Sequence, residues 1–315
     1  MNPPRTRVLY ITGDSRSGST IFDALLGSHP GIVATGELNM LLLDDFGAPR
    51  VCACRQPIED CPLWGPVLRT WSAGLAPRTP ADYLRLQSRF EHFRRLPGLL
   101  WHSGRHSASF VEYTRWTADL ITAIAETGSA EIVADSAKNP VRVLAFLRGG
   151  AIDVALVHLV RDPRGVAWSK RKLVRWRGLP NWLRHPVAIV LRSAFDWNFA
   201  NLFTQLVASR FKAVPYVRVR YEDLVRDPEG TLTRVGQATG IDLAPLGGRA
   251  AGSEPLAFGH IMAGNLARQR GTRPLALDVD WQQNAPRWIR WTIWFMTGWL
   301  ARRYGYRRQV EKGSP

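Results

Sequence analysis

The sequence has no apolar run of about 20 residues, so no membrane-spanning helix is expected. Met1 to Arg7 is polar and leads straight into a strand-like run. No signal peptide is therefore expected, and the chain is read as cytoplasmic. Internal repeats and low-complexity tracts are missing as well, which argues against a solenoid or a linker-like chain. Lysine is scarce: only five of the 42 basic residues are lysine. GC-rich coding produces the same arginine bias, so the bias alone carries no functional weight. Acid is scarcer than base, 26 residues against 42, leaving a net charge of +16. That excess favours anionic partners such as nucleotide phosphates, acidic sugars or an anionic membrane surface; no nucleic-acid recognition motif accompanies it.

Cysteine is nearly absent too. Cys52, Cys54 and Cys61 are the only three. A zinc site normally takes four ligands, and no His or Cys nearby in sequence completes this one, so no metal is expected. A local disulfide with a spare thiol is the alternative to reduced cysteines that brace the fold. His260, His102 and His106 have no usable partner spacing.

What is present suits one α/β domain over residues 1–315, with 45% hydrophobic and 22% charged residues. Val8 to Thr12 reads as a strand ending at Gly13, Ser19 to Leu26 as a helix, and Ile32 to Ala34 as a second strand. Strand, polar loop, helix, strand opens a parallel sheet, so a P-loop-like, three-layer α/β/α fold is expected. Residues 44–128 hold prolines, the cysteines and segments that suit helices, such as Tyr83 to Arg95 and Tyr113 to Glu126. They read as a helical insertion, or lid, on the acceptor side. The sheet resumes at Glu131 to Asp135, Val154 to Val160 and Val214 to Val219. Helices are expected at Pro140 to Arg148, Pro186 to Ser209 and Pro228 to Gly240, the last capped by Asp227.

The loop Gly13 to Thr20 has the GxxxxG-then-Ser/Thr spacing of a nucleotide P-loop, but Ser19 stands where an NTPase has lysine. Glycines let backbone N–H groups approach an anion, and the helix N-terminus adds partial positive charge. Arg16 supplies the cation within the loop. No apolar strand ending in aspartate is evident to hold Mg²⁺, which makes an ATP-using P-loop kinase the alternative rather than the first reading. A second segment, His158 to Arg164, follows a buried strand. Asp162 caps a helix with Pro163 in its first turn, Arg161 sits at the strand end, and Ser169 comes eight residues after it. Arginine and serine at that spacing converge on one phosphate; the alternative is a surface ion pair and a solvated serine.

These residues resemble the sulfotransferases that use 3′-phosphoadenosine 5′-phosphosulfate, especially bacterial members similar to the carbohydrate and tyrosylprotein branches. The resemblance makes Ser15, Arg16, Ser17, Gly18, Ser19 and Thr20 the 5′-phosphosulfate loop, with Arg16 at the bridging oxygen. It makes Arg161 and Ser169 the 3′-phosphate pair. His29-Pro30 followed by Gly36-Glu37 is similar to those branches, where a glutamate at about this place is the proposed base. Glu37 is therefore expected to take the acceptor proton, with no paired cation beside it. Asp135 to Pro140 resembles the family segment after the third strand. Val219 to Val225 resembles the strand end whose tyrosine, here Tyr221, lies against the adenine side. Gly264 and Asn265 resemble a loop that closes over the nucleotide. The implied chemistry needs no metal and a hydroxyl acceptor, carbohydrate, lipid-linked or small alcohol.

Trp288, Trp291, Phe295 and Trp299 recur at helical spacing within residues 286–315, flanked by arginines. The segment is read as a helix packed on the sheet, with peripheral membrane contact as the alternative. His158 reads as a core histidine, and His29 as ordering its turn.

Overall fold

The computed structural model describes residues 6–43, 51–101, 107–174, 185–251, 255–263 and 275–309. Five parallel strands form the sheet: β1 (Arg7–Thr12), β2 (Ile32–Gly36), β3 (Ile132–Asp135), β4 (Asp153–Val160) and β5 (Tyr216–Arg220). Their order is β2-β3-β1-β4-β5. Strands β1 to β4 read as largely apolar runs because both faces are covered, whereas the edge strand β5 carries Arg218 and Arg220. Val8 and Tyr10 point into one core with Val133 and Leu156. Leu9 and Ile11 point into the other with Ala134, Ala155 and Val157. The expected three layers follow from that alternation.

Register decides where the site lies. Thr12 pairs with His158, Tyr10 with Asp135, and Gly36 with Asp135. The residues after β1, β2, β3 and β4 therefore emerge at one carboxyl edge. The chain runs out to β2 and back through β3 before crossing to β4, so this edge holds a topological switch point, where open α/β sheets bind ligands.

Helices follow the strands. α1 (Ser19–Leu26) leaves the first loop. Between β2 and β3 come α2 (Trp64–Gly74), α3 (Pro80–Phe90), α4 (Leu96–Trp101) and α5 (Ala108–Thr127). The expected helix Tyr83 to Arg95 instead stops at Phe90 and continues as a 3₁₀ turn, Phe93–Arg95. The Nδ1 of His92 accepts the Arg94 N–H there, diverting the backbone from the helix. These helices are tied to the sheet by a buried network. Arg142 bonds Asp135 at 3.1 Å and also pairs with Glu91, which accepts the Tyr113 hydroxyl at 2.6 Å.

The chain continues through α6 (Pro140–Gly149), α7 (Pro163–Val174), α8 (Pro186–Arg210), α9 (Tyr221–Arg226), α10 (Pro228–Thr239) and α11 (Ala244–Ala251). As expected, Asp227 caps α10, accepting the Gly230 N–H at 2.9 Å. The C-terminal elements are α12 (Asp280–Asn284) and α13 (Arg287–Arg303). No described helix is long and apolar enough to cross a membrane. Helix α13 packs on α7 and α8, burying Ile289 and Ile293 against Val190 and Ala194, and its Trp294, Leu300 and Ala301 share a core cluster with Val160 at the end of β4. Trp288, Trp291, Phe295 and Trp299 lie on its opposite face, and Phe295 is 77% exposed. A helix seated on helices keeps one stripe inward and leaves the rest to solvent.

Candidate active site

The loop after β1 is built around Asp14. Its carboxylate accepts the Ser15 N–H at 2.7 Å, and its carbonyl accepts the Ser17 hydroxyl at 2.7 Å. Lys170, from α7, donates to both carboxylate oxygens at 2.8 Å. Burial pushes the Asp14 carboxyl up while Lys170 pulls it down. Arg16 takes a positive φ of 69° and Gly18 one of 96°. This alternation curls successive N–H groups into a concave nest. Tyr221 packs so closely on Gly18 that any Cβ there would strike its ring. No side chain caps the start of α1, so its first backbone donors face the nest.

Arg16, Arg161 and Ser169 come together. The Arg16 Nε donates to the Ser169 hydroxyl at 2.9 Å, and the Arg161 guanidinium donates to the Arg16 carbonyl at 3.1 Å. The two motif segments, 145 residues apart at Arg16 and Arg161, thus share one cleft. Arg161 is buried, lies 4.8 Å from the centre of the Tyr221 ring, and pairs with the half-exposed Asp278 at 2.9 Å. The Tyr221 hydroxyl donates to the Ala276 carbonyl and accepts the Asp278 N–H, which fixes that stretch against the arginine. Ser15 is exposed at the loop tip, and Thr20 is half-buried in the first turn of α1. Gly264 and Asn265 lie outside the described residues.

Glu37 differs from expectation. It follows β2 as predicted, but it has a cation beside it: Lys138 Nζ donates to Glu37 Oε1 at 2.8 Å. The same ammonium donates to the Ser19 hydroxyl at 3.0 Å and to the Ser136 carbonyl at 3.0 Å. Lys138 has a positive φ of 57°, which turns the chain back across the end of β3. The lysine missing from position 19 is thus supplied from the loop after β3. Sequence reading passed over Lys138 because its partner is 101 residues away. The available signal was a lysine three residues after a strand-end aspartate.

A second correction concerns β3, which does end in aspartate. Asp135 is not a free Mg²⁺ ligand, however: it accepts the Leu38 and Ala137 N–H groups and pairs with Arg142. Asp23, on α1 below Lys138, accepts the Ser136 hydroxyl at 2.5 Å. Burial pushes its carboxyl up to about 7. Arg171 lies over Trp168, and Lys172 pairs with Asp280. His158 is a buried core histidine whose nitrogens bond Tyr216 and Asn201, with its pKa lowered by burial to about 4. His29 accepts the Gly31 N–H within its own turn.

Arg16, Arg161, Lys138 and Lys170 thus gather around a backbone nest, with Asp14 paired to Lys170, Asp278 to Arg161 and Glu37 to Lys138. Such a set binds an extended polyanion and manages charge on a group in transfer.

The sequence model of the Sulfotransferase family matches residues 9–245, and no curated protein matches the chain. Among solved structures, the chain is similar to the sulfotransferase domain from the Synechococcus PCC 7002 olefin synthase. Identity there is 20%, coverage is 98% of each chain, and the TM-score is 0.51. A sulfotransferase domain from the curacin biosynthetic pathway matches at 16% identity and a TM-score of 0.48, covering 94% of this chain and 97% of that one. A sulfotransferase from Mycobacterium avium matches at 14% and 0.46, covering 85% and 76%. The family match runs from β1 into α11 and takes in Arg16, Glu37, Lys138, Arg161, Ser169 and Tyr221. The chain therefore belongs to the sulfotransferase family.

Proposed function

We propose that this sulfotransferase takes its sulfuryl group from 3′-phosphoadenosine 5′-phosphosulfate and passes it to a hydroxyl acceptor. The observation that carries the reading is the meeting of Arg16, Ser169 and Arg161 in one cleft beside the loop nest. A donor with anionic groups at both ends of an adenosine needs two such cationic points; a simple phosphate needs one.

Ser15, Ser17, Gly18, Ser19 and Thr20 with Arg16 hold the 5′ end, and Arg161 with Ser169 holds the 3′-phosphate. Tyr221 lies on the adenine side. Sulfuryl transfer asks for in-line positioning and for neutralisation of the leaving oxygen. Arg16 and the loop N–H groups meet that charge. Lys138, 3.0 Å from Ser19, is near enough to join them. A phosphosulfate in the nest competes with Glu37 for the Lys138 ammonium. Once released, the Glu37 carboxylate is free to accept the acceptor's hydroxyl proton. The helices of residues 44–128 form the acceptor side of the cleft. The exposed row Trp288, Trp291, Phe295 and Trp299, next to the exposed Arg287, Arg302 and Arg303, suits contact with an anionic lipid surface. That contact favours a lipid-linked or carbohydrate acceptor, with the chain cytoplasmic and peripheral.

An ATP-using kinase is disfavoured by the engagement of Asp135 with Arg142 and two backbone donors. Calorimetry separates the readings. Adenosine 3′,5′-bisphosphate should bind far more tightly than ATP, because only the sulfotransferase donor carries a 3′-phosphate. ATP binding as tightly as the bisphosphate would overturn the proposal. Radiolabelled donor against a panel of acceptors then identifies the acceptor class.

A further inference from the structure

The three cysteines carry no role in the chemistry above, and the fold gives them a fourth companion. His260, which has no useful spacing in sequence, lies among them. Its Nδ1 is 3.3 Å from Cys61 Sγ and 3.7 Å from Cys52 Sγ, and Cys54 Sγ is 3.7 Å from Cys61 Sγ. All four candidate ligand atoms lie within 4.8 Å of one another. The expectation that no fourth ligand is near is therefore corrected. We propose that Cys52, Cys54, Cys61 and His260 hold a structural Zn²⁺ ion that clamps the start of the insertion to the segment beside Glu37.

The spacing fits that ion. A tetrahedron with Zn–S of about 2.3 Å and Zn–N of about 2.0–2.1 Å has S···S edges of about 3.8 Å and S···N edges of about 3.5 Å. The distances observed lie on either side of those values. A disulfide brings sulfurs to about 2.05 Å, so the Cys54–Cys61 separation is not a bond. Three soft thiolates and an imidazole select zinc over hard cations, and four ligands leave no open position for catalysis.

Burial pushes the Cys52 and Cys61 thiols up, and backbone donors facing the two sulfurs oppose it. The Cys54 N–H is directed at Cys52 Sγ, and the Leu63 and Trp64 N–H groups at the start of α2 are directed at Cys61 Sγ. Residues 52–56 form a tight turn in which Arg55, at φ 70°, donates to the Cys52 carbonyl at 2.9 Å. His260 is held by its own backbone, since Trp64 Nε1 donates to its carbonyl at 2.7 Å. Ala53 N–H donates to the Ile261 carbonyl at 3.1 Å, so both ligand segments are already paired.

The clamp reaches the active-site edge. Two residues beyond His260, the Met262 N–H donates to the Thr35 carbonyl at 3.0 Å, and Ala263 bridges Gly36. Gly36 immediately precedes Glu37. Zinc binding expels the three thiol protons, and the ion's free energy then adds to folding. The ion takes no part in sulfuryl transfer.

The test uses the full chain, with any affinity tag removed, purified without chelator from zinc-supplemented culture. Elemental mass spectrometry should find about one zinc per chain, as a closed four-ligand site requires. Titration with an organomercurial should consume three thiols as it releases that zinc, read with a chromogenic chelator. Exchange for Co²⁺ should give the visible bands of a tetrahedral site together with a thiolate charge-transfer band. Cys61→Ser and His260→Ala should each lose the metal. Should those variants fail to fold, the parent protein still decides. A folded, metal-free parent with no thiolate–cobalt band would overturn the assignment. So would a disulfide among the three cysteines, or iron or copper in place of zinc.

Discussion

The two halves of the cleft are held in different ways. On the side proposed to hold the nucleotide, Arg16, Ser169 and Arg161 bond one another and the backbone, and Arg161 is buried against Tyr221. On the Glu37 side a single ammonium, Lys138 Nζ, serves Ser19, Glu37 and the Ser136 carbonyl at once. Guanidinium groups are planar forks that fix geometry, whereas an ammonium is a compact charge on a flexible stem. The first half is therefore preformed for a ligand. The second is a shared charge that a ligand can redistribute. Substitutions in the two halves should fail differently.

The largest effect is expected at Lys138. Lys138→Ala should lower turnover by about 10²–10³-fold, the scale of losing a transition-state charge contact. Affinity for adenosine 3′,5′-bisphosphate should change little. Arg161→Ala should show the converse, weakening bisphosphate binding by about 10²-fold, in line with loss of a buried charged contact of about 2–5 kcal/mol. Steady-state kinetics and calorimetry on both variants give the cross. If Lys138→Ala lost nucleotide affinity while Arg161→Ala kept it, the division into halves would be wrong.

The two halves were also unequally legible in the sequence. The loop from Gly13 to Thr20 and the Arg161–Ser169 spacing are local, each lying between one strand and one helix, so periodicity and turn chemistry located them. That the two share one cleft follows from adjacent parallel strands. Lys138 was not legible as a partner of Glu37, because nothing local links two residues that meet only when β2 pairs with β3. His260 was hidden for the same reason, 199 residues beyond Cys61. Helix α2 was not singled out within residues 44–128, although proline in a first turn costs no hydrogen bond. Trp64, Val67 and Trp71 supply its buried stripe. On α13 the aromatic spacing gave the helix but not its seat, since Trp288, Trp291, Phe295 and Trp299 mark the exposed stripe and the buried one is mostly aliphatic.

Asp23 sharpens the comparison through pH. It lies below Lys138, and burial raises its carboxyl to about 7 from an ordinary value near 4. Between those values the folded state holds a proton that the unfolded chain has released. Its contribution to stability is therefore full below about pH 4 and is lost as pH rises to about 7. Asp14, Asp135 and Glu222 are shifted in the same direction. Asp23→Asn should flatten part of the fall in melting temperature across that window, measured by scanning calorimetry. An identical profile in parent and variant would mean that Asp23 stays charged when folded.

The smallest effect concerns what the nucleotide half holds before its ligand arrives. Asp278 donates its N–H to the Tyr221 hydroxyl, and its carboxylate pairs with Arg161 at 2.9 Å. That carboxylate is 47% exposed while Arg161 is nearly buried, so it is a partner water can replace. A phosphate on Arg161 must compete with it. An ion pair so exposed on one side contributes only about 0.2–1 kcal/mol. Asp278→Asn keeps the side chain's shape and removes the competing charge. It should tighten bisphosphate binding by about 1.4- to fivefold, the equivalent of that energy. Turnover should be little changed, because Lys138 and Glu37 are untouched. Weaker binding in the variant would make Asp278 a positioning residue for Arg161, and the nucleotide half would then depend on a carboxylate as the other half does on Glu37.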